Sequence, residues 1–226
     1  MHKIKTDGKK DIFMKIHTFQ LGQLGTNAHL IFPNSGDGAV LVDAPMGAAE
    51  EIPEFLEQAG RKLSGILLTH GHWDHIWDAG ELASATGAKI YASKFGTTLI
   101  EDADFQREVM FADDGLRSSK IDVKVSDGDI LKIAGLEIKC FEVFGHSPDS
   151  IAYFISEGGE NFVFSGDALF YGSIGRTDLW EGDFASLEKS LKTKLYTLPD
   201  STRVLTGHGA PTSIAFERKN NAYVRG

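Results

Sequence analysis

Apolar positions in this chain recur every second residue in some stretches and every third or fourth in others, and the order of the two periods predicts the fold. Alternating runs rich in β-branched and aromatic residues predict strands over residues 14–20, 28–32 and 39–42. A helical period follows over 48–58 and stops at Gly60, a residue suited to a helix C-terminus. Ile66, Leu67 and Leu68 read as a buried strand, then a helix over 76–86 ends at Gly87, with a strand at 89–92 and an acidic helical segment at 97–109. The second half repeats the theme, with strands over 121–125, 130–133, 136–143, 151–155 and 162–164, a helix over 185–195, a strand at 203–205 and a last helix over 212–218. Runs of strands punctuated by helices predict two mixed sheets packed face to face with helices outside, a four-layer αββα sandwich of the α/β class. No Pro- or Ser-rich linker divides residues 14–226, which are read as one domain. The halves could be related by pseudo-symmetry, although no clear sequence repeat accompanies it. The polar, lysine-rich residues 1–13 are read as a flexible extension outside the fold.

The chemistry concentrates where predicted strands end. Directly after Leu68 the chain reads Thr69-His70-Gly71-His72-Trp73-Asp74-His75, with four side chains able to bind a divalent metal. Histidines at i and i+2 can converge on one cation, and Asp74 and His75 can reach a second. Three more candidates, each beside a glycine, follow apolar runs: His146, Asp167 and His208. Small residues there let the backbone bend close to a metal. Five of the eight histidines and two aspartates suffice for two ions sharing one carboxylate, and nitrogen and oxygen donors suit zinc, iron or manganese. His2, His17 and His29 stand outside this pattern and are read as surface or core residues.

These residues, His70-x-His72-x-Asp74-His75, His146, Asp167 and His208, resemble the metallo-β-lactamase-fold hydrolases. Within that superfamily, Gly145-His146-Ser147-Pro148, the run from Ser165 through Asp167 to Gly175-Arg176-Thr177-Asp178, and Thr206-Gly207-His208-Gly209 are similar to the glyoxalase II-like branch. The resemblance implies a first metal site of His70, His72 and His146, a second of Asp74, His75 and His208, and Asp167 as the bridging carboxylate. Two divalent ions are implied, zinc first, with iron or manganese as alternatives. Asp74 is also assigned the catalytic role of orienting the attacking hydroxide. Asp43, closing the strand at 39–42, is expected to support the ligand loop, or else to cap the turn before Ala44-Pro45.

The implied activity is a hydroxyacylglutathione hydrolase-type thioesterase acting on S-D-lactoylglutathione or a related thioester. Longer glyoxalase II enzymes carry a C-terminal helical extension and place a lysine and a tyrosine where this chain has Arg176 and Asp178. Arg176 is therefore a candidate for a substrate carboxylate and equally for an ion pair with Asp178. Tyr171 is a candidate wall of the substrate site. Asp149 stands where the family commonly has glycine, adding a charge near His146. A mononuclear-iron persulfide dioxygenase of the same fold is the alternative enzyme. A metal-stabilised binding protein is the alternative outside enzymes, and β-lactam hydrolysis is disfavoured by Asp167.

Composition narrows the partners. A net charge of -9, without a basic stripe, argues against nucleic acid. No run of about 20 apolar residues suggests a membrane span. The single Cys140 cannot form an internal disulfide and reads as a buried hydrophobe, so a cytoplasmic location with a small-molecule substrate is expected. The sequence leaves the oligomeric state open.

Overall fold

The structure, a computed structural model, describes residues 14–110, 112 and 114–226, so the expectation for residues 1–13 lies outside it. Its first sheet takes six strands in chain order: β1 (Lys15–Leu21), β2 (Thr26–Phe32), β3 (Gly38–Val42), β4 (Lys62–Leu67), β5 (Lys89–Ser93) and β6 (Val123–Val125). The β1–β2–β3 meander is antiparallel and β3 through β6 run parallel. Between them lie the helices α1 (Ala48–Ala59), α2 (Trp73–Ile76), α3 (Ala79–Thr86), α4 (Thr97–Ile100) and α5 (Ala103–Met110). The second half supplies β7 (Ile130–Ile133), β8 (Leu136–Glu142), β9 (Ile151–Glu157), β10 (Glu160–Gly166), the ribbon strands β11 (Leu169–Phe170) and β12 (Ser173–Ile174), α6 (Phe184–Thr193), β13 (Arg203–Thr206), β14 (Thr212–Ser213) and α7 (Ile214–Asn220). The second sheet has the order β14-β13-β10-β9-β8-β7, with β10 and β13 parallel and the other neighbours antiparallel. Both sheets are mixed and helices flank them, as the sequence predicts.

The two-residue period of the strands sorts side chains into layers. Leu30, Leu41 and Ile66 point outward to meet Ile52 and Leu56 of α1. Their neighbours Ile31, Val40, Val42 and Leu67 point inward against Ile138, Cys140, Tyr153 and Phe164 of the second sheet. On the far side Ala152 and Val163 meet Leu187 and Leu191 of α6. Cys140 lies fully buried between the sheets, where burial pushes its thiol up to about 12.

Two predicted helices are interrupted. The helix expected over 76–86 breaks at Trp77 and Asp78, because the Asp78 carboxylate turns away to accept the backbone N–H groups of Gly47 (2.7 Å) and Ala49 (3.0 Å). The segment expected over 97–109 splits before Ala103, where Asp102 Oδ1 accepts the Phe105 N–H. The last helix starts two residues late because Thr212 and Ser213 pair with β13.

Candidate metal centre

Strand direction gathers the candidate ligands at one edge of the sandwich. β3 and β4 are parallel, as are β10 and β13, and the antiparallel path from β10 through β9 sends β8 the same way. Asp43, His70, Asp167, His208 and the loop to His146 therefore all leave C-terminal strand ends, and α2 carries Asp74 and His75 on the turn that follows. The sheets are joined here by direct hydrogen bonds: Asn27 N–H to Gly207 O (2.7 Å), Ile151 N–H to Thr69 O (2.7 Å) and Tyr153 O–H to Leu68 O (2.8 Å).

Seven side chains converge in two abutting groups. In the first, His72 Nδ1 stands 3.0 Å from both His70 Nε2 and His146 Nε2. In the second, Asp74 Oδ2 lies 3.4 Å from His75 Nε2 and 3.2 Å from His208 Nε2, and the two imidazole nitrogens are 3.2 Å apart. Asp167 faces both, with Oδ1 3.3 Å from His75 Nε2 and Oδ2 3.4 and 3.7 Å from the Nε2 atoms of His208 and His146. Donors about 2.0–2.2 Å from a tetrahedral ion stand about 3.3–3.6 Å apart, close to these spacings, so the residues fit divalent ions. These residues form groups able to hold a metal ion.

The electrostatics differ between the groups. Burial, reinforced by neighbouring imidazoles, holds His70 well below its usual range and His72 at about 3, and burial also lowers His146. These rings are neutral, the form that binds a metal. At the other end burial would lower His75 and His208, but the carboxylates around them prevail and raise both, His208 to about 9. Burial likewise opposes ionisation of Asp74 and Asp167, yet His75 and His208 keep Asp74 at about 2 and Asp167 well below the carboxylate range. The carboxylate-rich end thus draws positive charge to the position a second cation would take.

Four of the five rings are oriented by a partner on the other nitrogen, the arrangement expected around a metal, His208 by the Leu24 carbonyl (3.3 Å), whereas His72 Nε2 is buried without one. His75 donates from Nδ1 to Asp43 Oδ2 (2.8 Å), and Asp43 also accepts from the Thr69 N–H and hydroxyl, both at 2.8 Å. The Thr69 hydroxyl, donating to Asp43, accepts in turn from His70 Nδ1 (3.0 Å). His146 donates from Nδ1 to the Arg176 carbonyl (2.8 Å), and Thr26 Oγ1 donates to Asp74 Oδ2 (2.7 Å). Close packing requires Gly207, where a Cβ would come 2.0 Å from Asp167 Oδ1.

The structure separates the remaining candidates. Asp43 is buried against His75 and Thr69, with a left-handed φ of 62°. Arg176 is paired bidentately with Asp178, at 2.7 and 2.8 Å, on the surface. Tyr171 is turned onto Phe216, its ring stacked at 4.9 Å, whereas the preceding Phe170 is the aromatic against His208. Asp149 is buried: Oδ1 accepts from Ser147 Oγ (2.5 Å), Oδ2 has no hydrogen-bond partner, and burial pushes its carboxyl up to about 6. Sequence reasoning passed over Thr26, Thr69 and the Arg176 carbonyl; only Thr69 had a signal, its place beside the histidine motif. His29 is a satisfied core residue bonded to Thr18 Oγ1 and the Thr206 carbonyl, and His17 packs against Phe32 and Phe55.

The sequence profile of the metallo-beta-lactamase superfamily matches residues 21–208. The chain belongs to this superfamily. Hydroxyacylglutathione hydrolase GloC of Haemophilus influenzae is 31% identical over 93% of this chain and 98% of its own length. A probable metallo-hydrolase of Bacillus subtilis, YqgX, is 30% identical over 94% and 99%. Among solved structures of the superfamily's fold, the B3 metallo-beta-lactamase BLEG-1 superposes with a TM-score of 0.84 at 31% identity, covering 94% of this chain and all of its own. TTHA1623 in a di-iron-bound form gives 0.78 at 32%, covering 92% and 100%, and ETHE1 from Myxococcus xanthus 0.78 at 29%, covering 93% and 84%. The protein is thus a metallo-hydrolase of the metallo-beta-lactamase superfamily. Among the described residues, no helix is long and apolar enough to cross a membrane.

Proposed function

We propose that this protein is a thioesterase of the hydroxyacylglutathione hydrolase type, working with two divalent ions. The observation that carries the reading is the convergence of seven side chains able to bind metal, with Asp167 facing His75, His208 and His146. His70, His72 and His146 would hold one ion, Asp74, His75 and His208 the other, with Asp167 between them. Such a pair, when bound, supplies an ionised water near neutral pH and polarises a carbonyl. The chain's own part is positional. Thr26 fixes Asp74, which is assigned to orient the attacking water, and Asp43 fixes His75 and, through Thr69, His70. A thiolate departs without prior protonation, which suits a centre without a separate general acid. The 31% identity to GloC over nearly the full length of both chains supports the hydroxyacylglutathione class.

The test is thiol release from S-D-lactoylglutathione by protein reconstituted separately with zinc, iron and manganese, beside the Asp74→Ala variant. Turnover that vanishes in the variant supports the proposal. Inactivity with every metal overturns it. Persulfide-dependent oxygen uptake by the iron form would then favour the dioxygenase, and nitrocefin hydrolysis a lactamase, the activity named for BLEG-1.

A further inference from the structure

The C-terminal helix contains a buried carboxylate that the reading above leaves without a role. Glu217, on α7, has no exposed surface, and each of its partners is a hydrogen-bond donor: the Gly172 N–H (3.0 and 3.1 Å), the Thr212 hydroxyl (2.6 Å) and the Asn221 side-chain amide (2.8 Å). Asn221 in turn donates to the Ser173 carbonyl (2.9 Å), and the Ala222 N–H donates to the Gly172 carbonyl (3.1 Å). The bonds to the Gly172 N–H and carbonyl and to the Ser173 carbonyl grip the tip of the β11–β12 ribbon, and those from Thr212 and Asn221 fix the Glu217 carboxylate. One end of that ribbon is continuous with Asp167; the other runs into Gly175 and Arg176, whose carbonyl orients His146. The base packs without slack: a Cβ on Gly175 would lie 1.9 Å from the Asp167 carbonyl oxygen and 2.8 Å from His146 Nδ1.

We propose that Glu217 is a positioning residue for the metal centre, setting through the ribbon the acceptor that aims His146 at the first ion. The inference rests on the metal-centre reading above. A carboxylate accepts from all three at once; glutamine would either set its N–H₂ against the Asn221 amide or turn the Thr212 hydroxyl round to accept, and in both cases only one oxygen is left for the Gly172 N–H. In the second group His75 is held by Asp43 and Asp74 by Thr26, while the ribbon reaches that group only through the shared Asp167 and the ring of Phe170 against His208, so the larger effect falls on the ion of the His146 group.

The experiment is zinc competition with a chromophoric chelator, resolving two binding steps, on the full chain, Glu217→Gln and Ser213→Ala. Ser213 caps the same helix by accepting the Phe216 N–H (3.2 Å), so its loss weakens α7 without touching the clamp. Glu217→Gln should weaken one step about tenfold, the scale of outer partners of metal ligands, and the other by clearly less. Ser213→Ala should lower the melting temperature with both steps intact. Unchanged steps in Glu217→Gln, or equal losses in both variants, would overturn the proposal and make Glu217 a fold-stabilising residue only. If Glu217→Gln does not fold, Glu217→Asp, which keeps the charge but draws the carboxylate one methylene back from the Gly172 N–H, takes its place: a larger loss in one step supports the proposal and unchanged steps overturn it. A full-length wild type that binds no zinc would instead sink the metal-centre reading itself, and the inference with it.

Discussion

At the scale of single residues, two aspartates of opposite character surround the histidines. Asp43 is fully used: one carboxylate accepts from His75 and twice from Thr69. Asp43→Asn should keep the backbone, since asparagine tolerates the left-handed φ, but would place an amide N–H₂ against a donor. Metal affinity measured by chelator competition should fall about 10–100-fold, with the far-ultraviolet circular dichroism unchanged. Asp149 is under-used, with Oδ2 unpartnered, and burial raises its carboxyl from an ordinary 3.8 to about 6. Between those values the folded state binds the proton that the unfolded chain releases, so this group stabilises the fold at acid pH and that contribution is lost as pH rises through about 6. The window corresponds to roughly 3 kcal/mol. Urea unfolding of the metal-free protein from pH 4.5 to 7.5 should show Asp149→Asn gaining on the wild type as pH rises; parallel curves would refute it. The candidate ligands were legible because histidines and aspartates cluster in short motifs at strand ends, most of them beside glycine. Their partners were not. Thr26 lies 48 residues from Asp74, and a carbonyl such as that of Arg176 has no sequence signature at all.

At the scale of elements, the strands were readable because a two-residue period divides each between two cores, as with Leu30 and Ile31. Breaks in helices were less readable, since they depend on distant acceptors: nothing local shows that Asp78 will leave its helix to bond Gly47. The two-residue strands β11, β12 and β14 are too short for any period and escaped notice for that reason. Helix α6 shows how an element far from the ligands fixes one of them. Asp183 caps it through the Ser186 N–H (2.7 Å) and donates its own N–H to the Gly145 carbonyl (2.7 Å), tying the helix start to the His146 loop. Leu187 lies on that loop so closely that a Cβ on Gly145 would come 2.3 Å from its amide nitrogen. Leu187→Ala should cost about 2–5 kcal/mol in urea unfolding, because a fully buried leucine leaves a cavity between helix and sheet. Asp183→Ala should also lower the urea midpoint, by less than Leu187→Ala, because it removes the helix cap.

At the scale of the whole molecule, cohesion and chemistry occupy different places, and this decides what removing metal should do. The apolar mass lies in three layers, helix on sheet, sheet on sheet and sheet on helix, each complete without a ligand residue. The candidate ligands stand at one edge, on loops and on the short helix α2, oriented by protein partners such as Asp43 and the Arg176 carbonyl. A small domain folded by its metal would have to unfold when the metal leaves. This sandwich should keep its secondary structure after exhaustive chelation and dialysis, while its melting temperature falls. Binding to the folded state alone stabilises by about 4 kcal/mol when free metal exceeds its dissociation constant by about a thousandfold, so zinc added back should restore the melting temperature in a concentration-dependent way. Calorimetry with circular dichroism on the same samples checks both parts. A chelated protein that loses its secondary structure would mean that the centre carries the fold, moving the protein from hydrolase towards metal-stabilised scaffold. One that stays folded but does not respond to zinc would mean that the seven side chains do not bind it.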